Sequence, residues 1–245
     1  MKGLTVSRTI YDERPEICLQ LQESDYFTFL ATKDHDRKLS DGSTLRAKYI
    51  DNRSFEDVPP FLSSSFGTNA ALVSADDQLI VARRSRHVGS RPGVWSSSAN
   101  EAMSRDLDSD GRNPPDVYRV MRRGIREELG VHEQDYLLEL LAISLDTDMH
   151  QWGALFVGTL RSMEGAEVLA KRGRGVADKF ENMELKLVPF NPSSAFRFIG
   201  EEWSREMLAP HTPALLYLAL VNRFGRRDVE KNAERSLKSL RPRQA

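Results

Sequence analysis

Two adjacent glutamates near the end of an amphipathic segment are the side chains best placed to do chemistry. The segment Val117 to Leu129 carries apolar residues at positions 117, 121, 125 and 129, which is a helical spacing. A helical wheel places Glu128 on the apolar face and Glu127 at its edge. A buried carboxylate is costly unless it meets a cation or an organised set of donors. The spacing therefore predicts such a partner for Glu128, and a metal ion is one candidate.

Gly124 lies one turn before these glutamates, inside the same predicted helix. Glycine in a helix interior costs about 1 kcal/mol relative to alanine, so its presence needs a reason. The missing side chain leaves space for a ligand, a loop or a backbone that approaches closely. The alternative interpretation is that Glu127 and Glu128 are ordinary surface acids, with Arg123 paired to Glu127 at i, i+4.

The segment from Arg123 to Val131 resembles the second half of the Nudix box, whose family pattern is Arg-Glu-aliphatic-any-Glu-Glu-any-Gly-aliphatic. Residues 81–103 resemble the strand, basic loop and glycine-rich turn that precede the box. The resemblance implies an α/β fold of the Nudix type, an α-β-α sandwich with a mixed sheet between helical layers, and metal-dependent hydrolysis of a diphosphate bond in a nucleoside diphosphate-linked compound. The matching residues are Arg123, Ile125, Glu127, Glu128, Gly130 and Val131.

The resemblance also implies roles for individual residues. Glu127 and Glu128 would hold Mg²⁺ or Mn²⁺, and Arg123 would orient a carboxylate by a charge-assisted hydrogen bond, so these three are the implied catalytic residues. The cation would neutralise charge on the bridging phosphates and lower the pKa of a water that attacks phosphorus. Family members differ in the group that serves as base, so the resemblance does not assign it.

Two positions depart from the family pattern, because its first helical glutamate falls on Gly124 and an upstream glutamate falls on Pro115. We expect Glu101, in the loop that precedes the helix, to supply the missing oxygen ligand of the metal. Asp106 and Asp108 are weaker candidates for that role, because aspartates in polar loops usually serve turns.

Substrate contacts are predicted from a basic loop and from an aromatic side chain beside it. Guanidinium groups match phosphate oxygens well, and we expect one or two arginines of this loop to contact substrate. Alternation along the preceding strand sends Arg83 and Arg84 to opposite faces. A tryptophan could stack on a base or sugar, although large aromatic residues are more often part of a core. The predicted substrate-binding residues are Arg84, Arg86, His87 and Trp95.

Composition describes an ordinary globular protein without a strong electrostatic field. Of 245 residues, 40% are hydrophobic and 29% charged, and 35 Lys and Arg nearly balance 36 Asp and Glu. Nucleic acid and membrane partners are therefore disfavoured, and a small-molecule diphosphate or nucleotide is the expected partner. The single cysteine cannot form an internal disulfide, and the charged N-terminal stretch lacks the apolar run of a secretory signal. We expect a cytoplasmic location.

Prolines, glycines and changes of pattern along the chain predict three regions: an N-terminal extension (1–65), a Nudix-like domain (66–225) and a basic C-terminal tail (226–245) that forms a solvated helix. The segment KRGRG, from Lys171 to Gly175, is interpreted as a flexible basic loop, and 104–115 as a polar loop. Two helices are predicted, at 117–129 and 214–224. The predicted strands are 4–11, a hairpin of 69–74 and 78–82, and then 137–145, 154–160 and 184–188.

The sequence leaves other functions open. The main alternative is a catalytically impaired Nudix-like domain that binds a nucleotide as a sensor or scaffold, and Gly124 is its best support. Isoprenoid diphosphate isomerisation is disfavoured, since related enzymes use an active-site cysteine and Cys18 lies in the extension. RNA decapping gains nothing from the neutral net charge. A homodimer through the extension is also left open. Substrate specificity depends on the loops, and the sequence does not identify the substrate.

Overall fold

The structure is a computed structural model that describes residues 19, 21–54, 57–62, 65–178 and 180–240. The strand predicted at 4–11, Cys18 and the last five residues lie outside these ranges. The described chain forms two compact units, one made of residues up to Phe66 with Leu145–Trp152, the other of Gly67–Ser144 with residues from Gly153 onward. None of the helices in these ranges has both the length and the apolar character needed to cross a membrane.

The smaller unit is built from short helical elements held by side-chain caps and one arginine. Asp25 caps the first helix by accepting a hydrogen bond from the Thr28 amide at 2.9 Å. The Arg46 guanidinium pairs with Asp36 at 2.6 Å and donates to the carbonyl oxygen of Asp148 at 3.0 Å, which holds the 145–152 segment within this unit. The helices are α1 (Tyr26–Thr32) and α2 (Leu45–Tyr49), followed by a 3-10 turn (Pro60–Leu62).

A seven-stranded mixed sheet forms the centre of the larger unit, in the order β3-β2-β1-β6-β5, with β4 also pairing with β1 and β7 with β2. The predicted hairpin is confirmed, since the first two strands pair antiparallel around a turn at Ser74 to Asp77. The strands are β1 (Phe66–Val73), β2 (Gln78–Arg84), β3 (Trp95–Ser96), β4 (Ala99–Ala102), β5 (Tyr136–Asp146), β6 (Gln151–Leu160) and β7 (Asn182–Pro189).

Helices cover both faces of this sheet, as alternation along β6 shows. Leu155 and Val157 join the apolar core formed with the C-terminal helices. Phe156, between them, points to the opposite face, where its ring lies 5.1 Å from that of Tyr118 in an edge-on contact. The α-β-α sandwich expected from the sequence is therefore confirmed. The helices are α3 (Arg105–Asp108), α4 (Val117–Leu129), α5 (Gly165–Arg174), α6 (Pro192–Ser204), α7 (His211–Phe224) and α8 (Arg226–Leu240).

Three of these helices, α3, α5 and α6, were not predicted from the sequence. The KRGRG segment, interpreted as a flexible loop, contributes the last turn of α5, so that interpretation was wrong. The sequence signal is a reciprocal capping box in which Glu164 and Glu167 bind each other's backbone amides. Helix α6 has an equally local signal, because Asn191 caps it and Pro192 occupies its first position. In α8, Val229 is fully buried in the core, so that helix packs against the domain.

Candidate active site

Helix α4 begins and ends at the predicted residues. The Asp116 carboxylate accepts a hydrogen bond from the Tyr118 amide at 2.9 Å, and Gly130 adopts a left-handed conformation with φ of 70° that closes the C-terminus. These caps fix which residues face the sheet. Glu128 is therefore turned inward and is only 1% exposed, whereas Glu127 lies at the edge with 30% of its side chain exposed.

The buried Glu128 carboxylate meets an organised set of hydrogen-bond donors. The backbone amide of Asn100, in β4, donates to Oε1 at 2.8 Å. The carboxamide nitrogen of Asn182, at the start of β7, donates to Oε2. Two strands that are distant in sequence thus converge on one oxygen pair, which satisfies the expectation that this glutamate has partners.

Gly124 is explained by the close approach of β4 to α4. A β-carbon built on Gly124 would lie 2.8 Å from the β-carbon of Glu101, closer than real side chains approach. Of the three explanations that the sequence left open, a neighbouring chain segment is the one the structure shows. That segment is a strand, and the expectation that Glu101 lies in a loop was wrong. Pairing of β4 with β1, including Glu101 with Thr68, fixes its position.

Arg123 is the hub of the charged side chains around Glu101. Its Nε and Nη2 groups donate to the two oxygens of Asp108, each at 2.9 Å, and Nη1 lies 2.8 Å from Glu101 Oε2. A looser pairing reaches Glu127 at 3.5 Å. Asp108 belongs to α3, so the prediction of a plain loop over 104–115 was wrong. Because both oxygens of Asp108 already accept from Arg123, this aspartate serves to position the arginine.

Burial makes the charges of three neighbouring carboxylates unfavourable. Burial raises the pKa of Glu101 to about 7, against the favourable effect of Arg123. Burial raises the pKa of Glu128 well above its usual value, and the charges of Glu181 and Glu101 raise it further. The pKa of Glu181 is also raised by burial, although Arg84 opposes that shift. A cation bound among these groups would relieve the repulsion between them.

Arg84 links Glu181 to this cluster from the end of β2. Its Nη1 group donates to the carboxamide oxygen of Asn100 and lies 3.3 Å from Glu181 Oε1, while Nε donates to the Ser90 carbonyl oxygen at 3.1 Å. Sequence reasoning singled out Arg84 but missed Asn100, Glu181 and Asn182. Glu181 and Asn182 stand just before the predicted strand 184–188, whereas Asn100 lies next to no predicted strand and has no comparable sequence signal.

Arg172 brings a second guanidinium to the same place from the last turn of α5. It donates to the backbone carbonyl oxygen of Asn182. Burial lowers its pKa, and the charge of Glu128 acts in the opposite direction. A partly dehydrated guanidinium next to a buried carboxylate is well suited to receive an anionic group.

The remaining predicted substrate-binding residues are either exposed or packed in the core. Arg86 and His87 are exposed in the loop after β2. Trp95 is only 6% exposed, with its ring 6.1 Å from that of Phe198 and the Lys186 ammonium 5.7 Å from its centre. Trp95 therefore packs as a core residue.

The donor set at the cluster has the chemistry of a site for a hard cation. Within the described ranges, no group of three or more His, Cys, Asp and Glu side chains is arranged to hold a metal ion. Carboxylate oxygens of Glu101, Glu127 and Glu128 and carboxamide oxygens are nevertheless what Mg²⁺ and Mn²⁺ prefer. Burial and the neighbouring carboxylates both raise the pKa of Glu101 and of Glu128, so negative charge is unfavourable on these groups while no cation is bound.

No protein-family model matches this chain, and no curated protein matches it. Similar solved structures include DR0079 from Deinococcus radiodurans, with a TM-score of 0.45 and 16% identity over 63% of this chain and 82% of that one. The MutT protein from Methanosarcina mazei has a TM-score of 0.43 and 12% identity over 65% of this chain and 95% of that one. The Nudix domain of Shewanella oneidensis NrtR, solved with ADP ribose, has a TM-score of 0.40 and 14% identity over 71% of this chain and 95% of that one. Function therefore has to be argued from the side chains of this chain.

Proposed function

We propose that this protein is a metal-dependent hydrolase that cleaves the diphosphate bond of a nucleoside diphosphate-linked compound. The observation that carries the proposal is the buried Glu128 carboxylate, fixed by donors from β4 and β7 within reach of the charges of Glu101 and Glu181. A fold that keeps such repulsion between buried carboxylates gains most when a cation joins them. The sequence resemblance to the Nudix box around Glu127 and Glu128 supports the same chemistry.

The residues have distinct roles in this proposal. Glu128, Glu127 and Glu101 hold Mg²⁺ or Mn²⁺, which when bound neutralises phosphate charge and lowers the pKa of water. Arg123 keeps the Glu101 carboxylate turned toward α4 through its 2.8 Å contact. Asp108 in turn holds the guanidinium plane of Arg123 by two parallel hydrogen bonds.

Substrate recognition is assigned to the basic groups around the cluster. Arg84 and Arg172 lie next to the carboxylates and bind the phosphates by guanidinium hydrogen bonds. Arg86 and His87, exposed in the loop after β2, contact the part of the substrate that lies farther out. Trp95 is not assigned a contact, because its ring is buried.

The experiment is a panel of nucleoside diphosphate compounds incubated with Mg²⁺ or Mn²⁺, with release of the nucleotide product followed by chromatography. Glu101→Gln, Glu127→Gln and Glu128→Gln are compared with Glu184→Gln, which removes an exposed carboxylate paired to Arg83. We expect metal-dependent cleavage that the control retains and that Glu128→Gln lowers at least about a hundredfold. Cleavage at wild-type rate in all three site variants would remove the proposed site.

A second function, nucleotide binding without cleavage, is favoured by Gly124 alone. The β-carbon of Glu101 fills the place of a carboxylate on α4, so the helix has one acidic group fewer than the box pattern. A binding domain of this kind would retain nucleotide in the presence of a chelator. Calorimetric titration of the same compounds with and without EDTA distinguishes the two functions.

A further inference from the structure

Asn182 has an unmatched oxygen inside the carboxylate cluster. The residue is only 1% exposed, and its carboxamide nitrogen donates to Glu128 Oε2. Its Oδ1 atom is buried and accepts no hydrogen bond from any residue that the structure describes. Buried carboxamides usually have both ends matched, so this oxygen marks a position for a group that binds oxygen.

The orientation of the carboxamide is dictated by its neighbour. With Glu128 ionised, as it must be to hold a cation, turning the carboxamide over would place Oδ1 against the carboxylate, where two electron-rich oxygens would repel each other. The backbone cannot relieve this by moving, because Arg172 binds the Asn182 carbonyl oxygen and the strand pairs with β2 at Arg84. Oδ1 is therefore held in place beside the cluster.

The identity of the missing partner follows from the charges around it. The Asn182 carboxamide is hydrogen-bonded to the buried Glu128 carboxylate, so its unpartnered Oδ1 lies beside that carboxylate, and a carboxylate with a neighbouring carboxamide oxygen is a donor set that a hard cation prefers. Helix α4 cannot supply another carboxylate at position 124, because the β-carbon of Glu101 occupies that space. An additional oxygen ligand must come from another element.

We propose that Asn182 Oδ1 is a ligand of the divalent cation held by Glu128, so that β7 supplies the oxygen that α4 lacks at Gly124. This inference rests on the proposed metal-dependent function and names a residue that the Nudix-box resemblance does not include. The two ends of one carboxamide then have separate tasks, since the nitrogen orients Glu128 and the oxygen binds the cation.

Direct Mn²⁺ binding tests the inference without any substrate. The full chain is titrated with Mn²⁺ at pH 8, and free Mn²⁺ is measured by electron paramagnetic resonance. Asn182→Ala removes both ends of the carboxamide, Asn182→Asp keeps an oxygen and removes the nitrogen, and Asn69→Ala is the control. The Asn69 oxygen already accepts from the Ser97 hydroxyl at 3.0 Å.

We expect Asn182→Ala to weaken Mn²⁺ binding about tenfold or more, with Asn69→Ala unchanged. Asn182→Asp is expected to bind Mn²⁺ as tightly as the wild type or more tightly, because an oxygen ligand is retained and a charge is added. If the Asn182 carboxamide only orients Glu128, Asn182→Asp should weaken Mn²⁺ binding at least as much as Asn182→Ala does. The new carboxylate would face Glu128 without the hydrogen-bond donor that the asparagine supplied.

The outcomes separate the two levels of the proposal. Wild-type protein that fails to bind Mn²⁺ overturns both the proposed function and this inference. Wild-type binding that Asn182→Ala leaves unchanged, or that Asn182→Asp weakens tenfold, overturns only the inference. If Asn182→Ala does not fold, as judged by circular dichroism, the Asn182→Asp affinity alone decides.

Discussion

The α-carbon of Gly124 in α4 faces the side chain of Glu101 in β4 so closely that an added β-carbon would lie 2.8 Å from the β-carbon of Glu101. The glycine that interrupts the acidic pattern of the helix is thus a packing requirement of the strand that carries another carboxylate into the same site. The close contact between α4 and β4 therefore excludes a carboxylate at position 124 and at the same time brings the carboxylate of Glu101 to the site.

Substitution of Gly124 is expected to destabilise the protein despite the better helix propensity of alanine. Overpacking typically costs about 1 to 3 kcal/mol, more than the helical gain of about 1 kcal/mol. The atom that the new methyl group would meet is the β-carbon of Glu101, which is attached to the strand backbone and cannot rotate away as the end of a flexible side chain could. Gly124→Ala should therefore lower the free energy of unfolding in urea, and Gly124→Glu should lower it further and not raise activity.

Gly173 in α5 is the matched control for this experiment, because a β-carbon there would meet nothing within 4 Å among the described residues. Gly173→Ala should raise the free energy of unfolding by about 0.5 to 1 kcal/mol. Equal stabilisation by Gly124→Ala and Gly173→Ala would contradict the close contact between α4 and β4.

Removal of the Arg123 side chain should be strongly destabilising. Asp108 has no exposed side-chain surface and would lose both of its guanidinium hydrogen bonds. An unpaired buried carboxylate left by Arg123→Leu should lower the free energy of unfolding by about 3 to 5 kcal/mol in chemical denaturation. Arg122→Leu, which breaks an exposed pair with Glu133 at 3.7 Å, should cost about 1 kcal/mol or less. Similar losses in both variants would argue against the hub.

The stability of the metal-free protein should fall as pH rises through neutrality. The pKa of Glu101 is raised from 4.5 to about 7 by burial, so the folded state binds this proton more tightly than the unfolded state. A raised carboxyl pKa contributes stability that is complete below the unfolded value and is lost as pH rises through the folded value. Thermal unfolding in EDTA should therefore show a melting temperature that decreases between about pH 5 and pH 8.

Glu101→Gln should flatten this pH dependence, because the glutamine does not titrate, whereas the exposed Glu184→Gln should leave the slope unchanged. A Glu101→Gln protein with the wild-type slope would show that other groups, such as Glu128 and Glu181, cause the whole effect.

Glu128→Gln should stabilise the metal-free protein at pH 8 while removing its response to Mn²⁺. Burial raises the pKa of Glu128 because it disfavours the charged carboxylate, and the neutral amide of glutamine carries no charge to bury. Asn182 can turn its carboxamide oxygen toward the new amide. We expect a higher melting temperature in EDTA and no further increase with Mn²⁺ in differential scanning fluorimetry. A lower melting temperature in EDTA would indicate that the charge itself is favourable in the fold.

The sequence determined the elements whose signals are local. Helix α4 was predicted to the residue, because Asp116 and Gly130 are caps whose hydrogen bonds reach only a few positions along the chain. The β1–β2 hairpin was also predicted, from its turn and its alternation, although β1 begins earlier, at Phe66, and β2 ends later, at Arg84. Helices α5 and α6 have comparable caps but were not predicted, because the basic KRGRG end of α5 was interpreted as a flexible loop and the caps of α6 were not recognised.

Only the tertiary structure decided how the site is assembled. The donors to Glu128 stand 28 and 54 residues away in sequence, on β4 and β7. They become neighbours of α4 because the order of strands in the sheet brings those strands to the helix, and strand order depends on the packing of the whole core. The sequence by itself therefore determined that Glu128 needs partners, and the sheet determined that Asn100 and Asn182 are those partners.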